Sequence, residues 1–147
     1  MADLPTSVLF VCNYNAIRSP MAEAMLKHLH GHHIFVDSAG VRLGELDPFA
    51  VVVMEELGID LSRHKPKLFV EMEDESFDLV ISLSPQAHHL ALERTRTTAC
   101  DVEFWQTFDP TLIEGNRETR LDAFRKTRDF LLDRIRQQFP AEQSVNV

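Results

Sequence analysis

Three side chains within one short stretch set the chemistry this chain can do. Cys12, Arg18 and Ser19 stand as Cys-x5-Arg-Ser inside Val11–Cys12–Asn13–Tyr14–Asn15–Ala16–Ile17–Arg18–Ser19–Pro20. A cysteine thiolate is a strong nucleophile at neutral pH. The planar fork of an arginine matches two oxygens of a tetrahedral anion. If the stretch is a loop opening directly into a helix, the N–H groups of Asn13, Tyr14, Asn15, Ala16, Ile17, Arg18 and Ser19 can curl around one oxyanion. The positive end of the helix then points into the same space. All of these favour a thiolate at Cys12 over a thiol. The loop has no glycine, yet some residue must turn left-handed for the N–H groups to converge. Asn15 is the natural candidate. The Ser19 hydroxyl can donate to the sulfur. The chemistry implied is nucleophilic displacement at a bound tetrahedral oxyanion. The competing view makes Cys12 a small residue closing a strand and Arg18 a surface charge. The placement of Cys-x5-Arg-Ser between an apolar run and a helical pattern weighs against it.

The elements that must position these groups can be read around them. Ser7–Cys12, Ile34–Ser38, Phe77–Leu83 and Asp101–Trp105 are short β-rich runs, several of them apolar throughout. Continuous apolar strands indicate burial on both faces, as in a parallel sheet covered by helices. Ser19–His30 has helical spacing, with Met21, Met25 and either Leu26 or Leu29 on one stripe and Pro20 in the first turn. Asp47 reads as the N-cap and Pro48 as the first residue of a helix reaching Leu57, with Gly58 just beyond it. From Glu118 to Phe139 a long helix carries Leu121, Phe124, Leu131, Leu132, Ile135 and Phe139 on its seam. Arg128 interrupts that seam and is expected to snorkel. The pattern is a three-layer α/β domain, a single one spanning residues 1–147. The cysteine loop then lies at the carboxyl end of a parallel strand, where open α/β sheets bind ligands. Asp109–Pro110 follows the fourth strand. The pair is by itself a common turn, but a loop in that place returns above the Cys12 cup.

Composition narrows the field. A chain of 147 residues suits one domain and buries about 70% of its unfolded surface. The net charge of -8 disfavours nucleic-acid binding. No apolar run is long enough for a membrane span, and no basic segment precedes the first strand as in a secretory signal. With two cysteines, Cys12 and Cys100, the chain reads as a cytoplasmic protein with reduced thiols. His28, His30, His32 and His33, like His88 and His89, read as exposed groups rather than a metal site. The acidic run Glu71–Glu75 reads as a solvated loop or helix start.

The segment VLFVCNYNAIRSPMAEAML, from Val8 to Leu26, resembles the opening of the low-molecular-weight protein-tyrosine phosphatase superfamily. The similarity continues through Asp37–Ser38–Ala39–Gly40, Gly58–Ile59–Asp60–Leu61–Ser62–Arg63–His64 and Asp109–Pro110. The resemblance implies a four-stranded parallel sheet flanked by helices, with a phosphate-binding loop after the first strand. It implies a phosphoryl transfer in two steps, without metal or other cofactor. Cys12 would attack phosphorus and form a cysteinyl-phosphate. Arg18 and the Asn13–Ser19 backbone would hold the equatorial oxygens, and Asp109 would serve as acid and then base. Ser38 and His64 match positions that steady the loop, Ser38 by bonding Asn15, though either suits a local turn or cap equally well. The implied partner is a phosphotyrosine protein or a small phosphomonoester.

The chain departs from that pattern in three places. Tyr14 stands where phosphatase members carry glycine, Ile17 where many carry a second cysteine, and Thr111–Leu112 where many carry substrate-facing aromatics. Tyr14 and Trp105 are possible replacement walls, with Trp105 better suited to the core. The stretch around Asn15–Ser19 and Met21–Ala24 also resembles the arsenate reductases of the same superfamily. Their further thiols would fall near Leu83–Ser84–Pro85, where this chain has no cysteine. A self-contained three-cysteine relay is excluded by count, leaving arsenate reduction with an external thiol donor as the alternative. A third possibility is a catalytically weak phospho-ligand binding module whose cup is distorted by Tyr14.

Overall fold

Alternation along the first strand decides the architecture. In the computed structural model, which describes residues 4–72, 76–96 and 99–140, β1 (Ser7–Cys12) sends Val8, Phe10 and Cys12 into one apolar cluster and Leu9 and Val11 into another. All five are essentially buried, so both faces of the strand are covered. β2 (Phe35–Gly40), β3 (Leu79–Ser82) and β4 (Asp101–Phe104) join it in one sheet of order β2-β1-β3-β4, every pairing parallel. Helices α1 (Arg18–His30), α2 (Pro48–Glu55) and α4 (Arg117–Gln138) pack on one face, and α3 (Pro85–Arg94) covers the other. This is the expected three-layer α/β fold. Parallel strands end on one side, so the loops after β1, β3 and β4 share one edge of the sheet.

Local signals fix most boundaries. Asp47 caps α2 by accepting from Phe49 N at 2.8 Å, with Pro48 at its first position. The regular helix stops at Glu55, short of the expected Leu57, and a turn leads to Gly58 at φ +76. β2 runs past Ser38 to Gly40 because Val11 and Cys12 pair with Ala39 and Gly40. β3 is shorter than Phe77–Leu83, since its pairing with β1 covers only Leu79–Ser82. Asn116 caps α4 through Thr119 N at 2.8 Å. On α1 the inner stripe uses Leu26, whereas Leu29 is exposed. None of the described helices is long and apolar enough to cross a membrane.

Three expectations need correction. Arg128 does not snorkel: it is buried, and its guanidinium donates to Val53 O at 2.7 Å and Glu56 Oε1 at 2.8 Å. It thereby satisfies a carbonyl near the end of α2 and ties α2 to α4. His30 is buried too, with Nε2 2.7 Å from Phe139 O. His88 is half-buried, stacked on Phe104 at 4.8 Å and bonded to Ser82 Oγ at 2.9 Å. Trp105, by contrast, is core as expected: it is fully buried, packs edge-on against Phe10 and forms no wall of a cleft. Of the acidic run, Glu71 is exposed at the end of a 3-10 turn, and residues 73–75 lie outside the described residues.

Candidate active site

The cup around Cys12 is built by turning carbonyls outward. The carbonyls of Cys12, Asn13, Tyr14 and Ala16 accept hydrogen bonds from Val41, Arg42, Gly44 and Asp47 N, at 2.8 to 3.2 Å. With those oxygens held by the segment after β2, the loop N–H groups face inward. Among the described residues, those of Asn13 through Ile17 meet no protein acceptor. Asn15 makes the turn possible with φ 55, the one non-glycine residue at positive φ among those described. Gly40 lets the loop lie against β2, because a Cβ there would meet Tyr14 C and Asn15 N at 2.7 Å. The N-cap position of α1, Ile17, offers no side-chain cap, whereas α2, α3 and α4 are capped by Asp47, Ser84 and Asn116. Its first-turn N–H groups are therefore free to bind an anion.

A buried polar network holds this strained loop. Asn15 Nδ2 donates to Ser19 Oγ and Ser38 Oγ, both at 2.9 Å. Its Oδ1 accepts from Lys67 N at 2.9 Å and lies 3.0 Å from His64 Nε2. All four hydrogen-bonding positions of the amide are occupied. Ser19 Oγ, which accepts from Asn15, lies 2.9 Å from Cys12 Sγ and 3.4 Å from Ala39 O, so its one hydrogen can go to the carbonyl or, once the thiol is ionised, to the sulfur. Ser38 passes the network on to Glu23, whose Oε1 accepts at 2.5 Å and whose Oε2 pairs with Lys27 at 2.6 Å. Burial pushes the His64 ring below the ordinary histidine value, and the Glu23 carboxylate, 3.7 Å from Nδ1, opposes that push.

Opposite the cup stands the loop after β4. Arg18 is 7% exposed and donates to Thr107 O at 2.9 Å, which anchors the guanidinium to this loop. Asp109 begins a 3-10 turn, and its Oδ1 accepts from Thr111 N at 2.9 Å and Thr111 Oγ1 at 2.7 Å. The other carboxylate oxygen makes no described bond to protein. Cys12, Arg18, Asp109 and Thr111 line one cleft of about 260 Å³ with Tyr14, Ala16 and Ile17. Asn13, Asn15 and Ser19 form the loop behind it, and Ser38 and His64 stand behind Asn15. Tyr14 keeps a negative φ and is half-exposed at the rim, with Gly44 giving it room. Glu45 and Asp47 complete the rim, making it acidic around a single floor cation, Arg18.

Four contributors were not singled out from the sequence. Glu23 sits four residues after Ser19 on the inner side of α1, and a carboxylate in that buried row was the available signal. Thr107 and Lys67 carried none, because each acts through a backbone group, and Ser84 showed only its helix-capping role before Pro85, its contact with Asn13 being long-range. Ser84, where the reductases' further thiols would fall, donates to Asn13 Oδ1 at 2.6 Å and caps α3. Cys100 precedes β4 at the opposite end of the sheet. Two strands over and five residues along put it roughly 15–20 Å from Cys12, far beyond disulfide reach. Burial also raises its thiol above the ordinary value.

Three comparisons bear on this arrangement. Residues 7–145 match the family model described as low molecular weight phosphotyrosine protein phosphatase. The glutaredoxin arsenate reductase of Synechocystis sp. is 34% identical over 128 residues, covering 87% of this chain and 92% of that protein. An arsenate reductase structure in the oxidized state superposes with a TM-score of 0.77 at 32% identity, covering 90% of this chain and 95% of that one. A low molecular weight protein tyrosine phosphatase from Bacillus subtilis gives 0.71 at 29%, covering 89% and 93%.

Proposed function

The chain belongs to the low molecular weight phosphotyrosine protein phosphatase family, and from that premise we propose that it is a cysteine-dependent phosphomonoester hydrolase whose best-fitting substrate is a phosphotyrosine protein. The observation that carries this reading is the run of N–H groups from Asn13 to Ile17 that meet no protein acceptor beside Cys12, with Asp109 in the same cleft. Cys12 Sγ attacks phosphorus in line. The P–S bond forms, the ester P–O bond breaks, and Asp109 protonates the departing oxygen. Arg18 and the loop N–H groups hold the three equatorial oxygens, where transition-state charge collects. Water then attacks phosphorus as Asp109 takes its proton, and the electron pair of the P–S bond returns to sulfur. The Ser19 hydroxyl stabilises the thiolate at both ends of the cycle. A cytoplasmic setting, where thiols stay reduced, suits this chemistry.

Arsenate reduction is the second reading, favoured by the names of the relatives just described. The cup would hold arsenate as it holds phosphate. The two electrons that take arsenic(V) to arsenic(III) would come from Cys12 and one external thiol, which leave joined as a disulfide. The positions of Ser84 and Cys100 keep the chain from supplying that second thiol itself. A binding module with a distorted cup loses its motive, since Tyr14 fits without a left-handed backbone.

Initial rates separate the two. Hydrolysis of p-nitrophenyl phosphate in EDTA, with no thiol turnover, is the expected result. Arsenate-dependent oxidation of a glutaredoxin–glutathione system, unaffected by Asp109→Asn and without phosphatase turnover, would assign the chain to the reductases.

A further inference from the structure

Beside the cleft lies a second depression of about 470 Å³. Phe108 and Ile113 form one wall, and Ala123, Thr127 and Phe130 of α4 form the other. Thr127 Oγ1, 3.4 Å from Phe108 O, fastens the loop to the helix beneath. Phe108 is 55% exposed, Phe130 41% and Ile113 36%, an apolar concentration not needed for the core. The flanking charges, Asp122 and Lys126, pair with each other at 3.3 Å, leaving the depression without net charge.

Its position is what gives it a use. Asp109 and Thr111 line the catalytic cleft, while Phe108 and Ile113, on the same loop, line the groove. One segment of backbone is thus the partition between the two. On the other side of the cleft the rim carries Glu45 and Asp47, so an apolar route away from the bound phosphate exists on the groove side. Resting on the hydrolase reading above, we propose that the groove receives an apolar side chain of the substrate polypeptide itself. That side chain lies two to four residues from the phosphorylated one, which spans about 7–13 Å of extended chain and reaches over the partition. The favoured substrate is then a phosphoprotein segment with a leucine- or phenylalanine-like neighbour, rather than a small phosphomonoester.

The test scans leucine through the four positions on either side of phosphotyrosine in a Gly/Ser peptide, with p-nitrophenyl phosphate as the control substrate. The full chain must first turn over p-nitrophenyl phosphate; if it does not, the hydrolase reading falls and the inference falls with it. Given that turnover, leucine at one or more of the positions two to four residues away, and not at the adjacent ones, should raise kcat/KM by about 5- to 20-fold, mainly through KM. Phe130→Ser should remove the gain and leave p-nitrophenyl phosphate hydrolysis unchanged, which also reports that the variant is folded. A flat series in wild type, or a gain that survives Phe130→Ser, overturns the groove's role while leaving the hydrolase reading intact. Sedimentation showing a dimer that Phe130→Ser dissociates would give the groove to a second copy of the chain and also overturn it.

Discussion

The two loops that face each other across the cleft are held in opposite ways. The loop after β1 is buried at Asn15 and Ile17 and exposed only at Tyr14, and every hydrogen-bonding position of the Asn15 amide is satisfied by residues 4 to 52 places away in sequence. The loop after β4 is largely exposed, and Asp109 is oriented by its neighbour Thr111. Their link is the bond from Arg18 to Thr107 O. The difference is physical: a cup that stabilises charge must be preorganised, because any reorganisation during reaction subtracts from the benefit. A proton donor needs only reach and a free oxygen, which a local turn supplies. The second loop is therefore where substrate preference can vary without dismantling the cup, and it is also the loop that borders the apolar groove.

The contrast can be broken most severely at the proposed nucleophile. Cys12→Ser should lower turnover by about 10⁴-fold or more while phosphate still binds, as isothermal titration would show. Next is Asp109→Asn, which should slow hydrolysis of a poor leaving group such as phenyl phosphate by about 10² to 10⁴-fold, with much less change in KM. Asn15→Ala attacks the network and the left-handed turn together. It should lower stability by about 2–3 kcal/mol, read from the urea midpoint, and reduce kcat by roughly ten- to a hundredfold. Asn15→Gly sharpens the comparison: it relieves the backbone strain but not the lost network, so stability should recover more than kcat does. The smallest effect belongs to Thr111→Val, which leaves Asp109 one local bond to a backbone N–H and should cost a few-fold in kcat with no change in the urea midpoint. A large stability loss in that variant would mean the two loops are not held differently after all.

The same contrast explains what could be read in advance. The cup is contiguous in sequence, so the thiol, the arginine and the need for a left-handed Asn15 were all legible, as was the cap Asp47. Arg18 and Arg128 show the limit. Both are 7% exposed, yet Arg128 ends on Val53 O and Glu56, more than seventy residues away, and nothing in the local seam announces those partners. His30 similarly meets Phe139 O across 109 residues. Glu23 was hidden because its partners, Ser38 and His64, come from other elements. Helix α3 announces its start in Ser84–Pro85, a cap followed by a first-position proline, but its short polar sequence shows little of the apolar stripe that marks the other helices. The groove needs two distant segments to exist, so Phe108 and Phe130 gave no joint signal.

The proposed reaction stands on a covalent step at Cys12 followed by a second step that depends on Asp109. Rapid-quench mass spectrometry of Asp109→Asn during turnover of p-nitrophenyl phosphate tests it directly, because the good leaving group needs little acid and the second step lacks its base. A single phosphoryl group should accumulate on Cys12 within the first turnover, with nitrophenolate released in a burst. Phosphate released in step with nitrophenolate and no phosphocysteine formed, or a phosphoryl group found on any other residue, would contradict it.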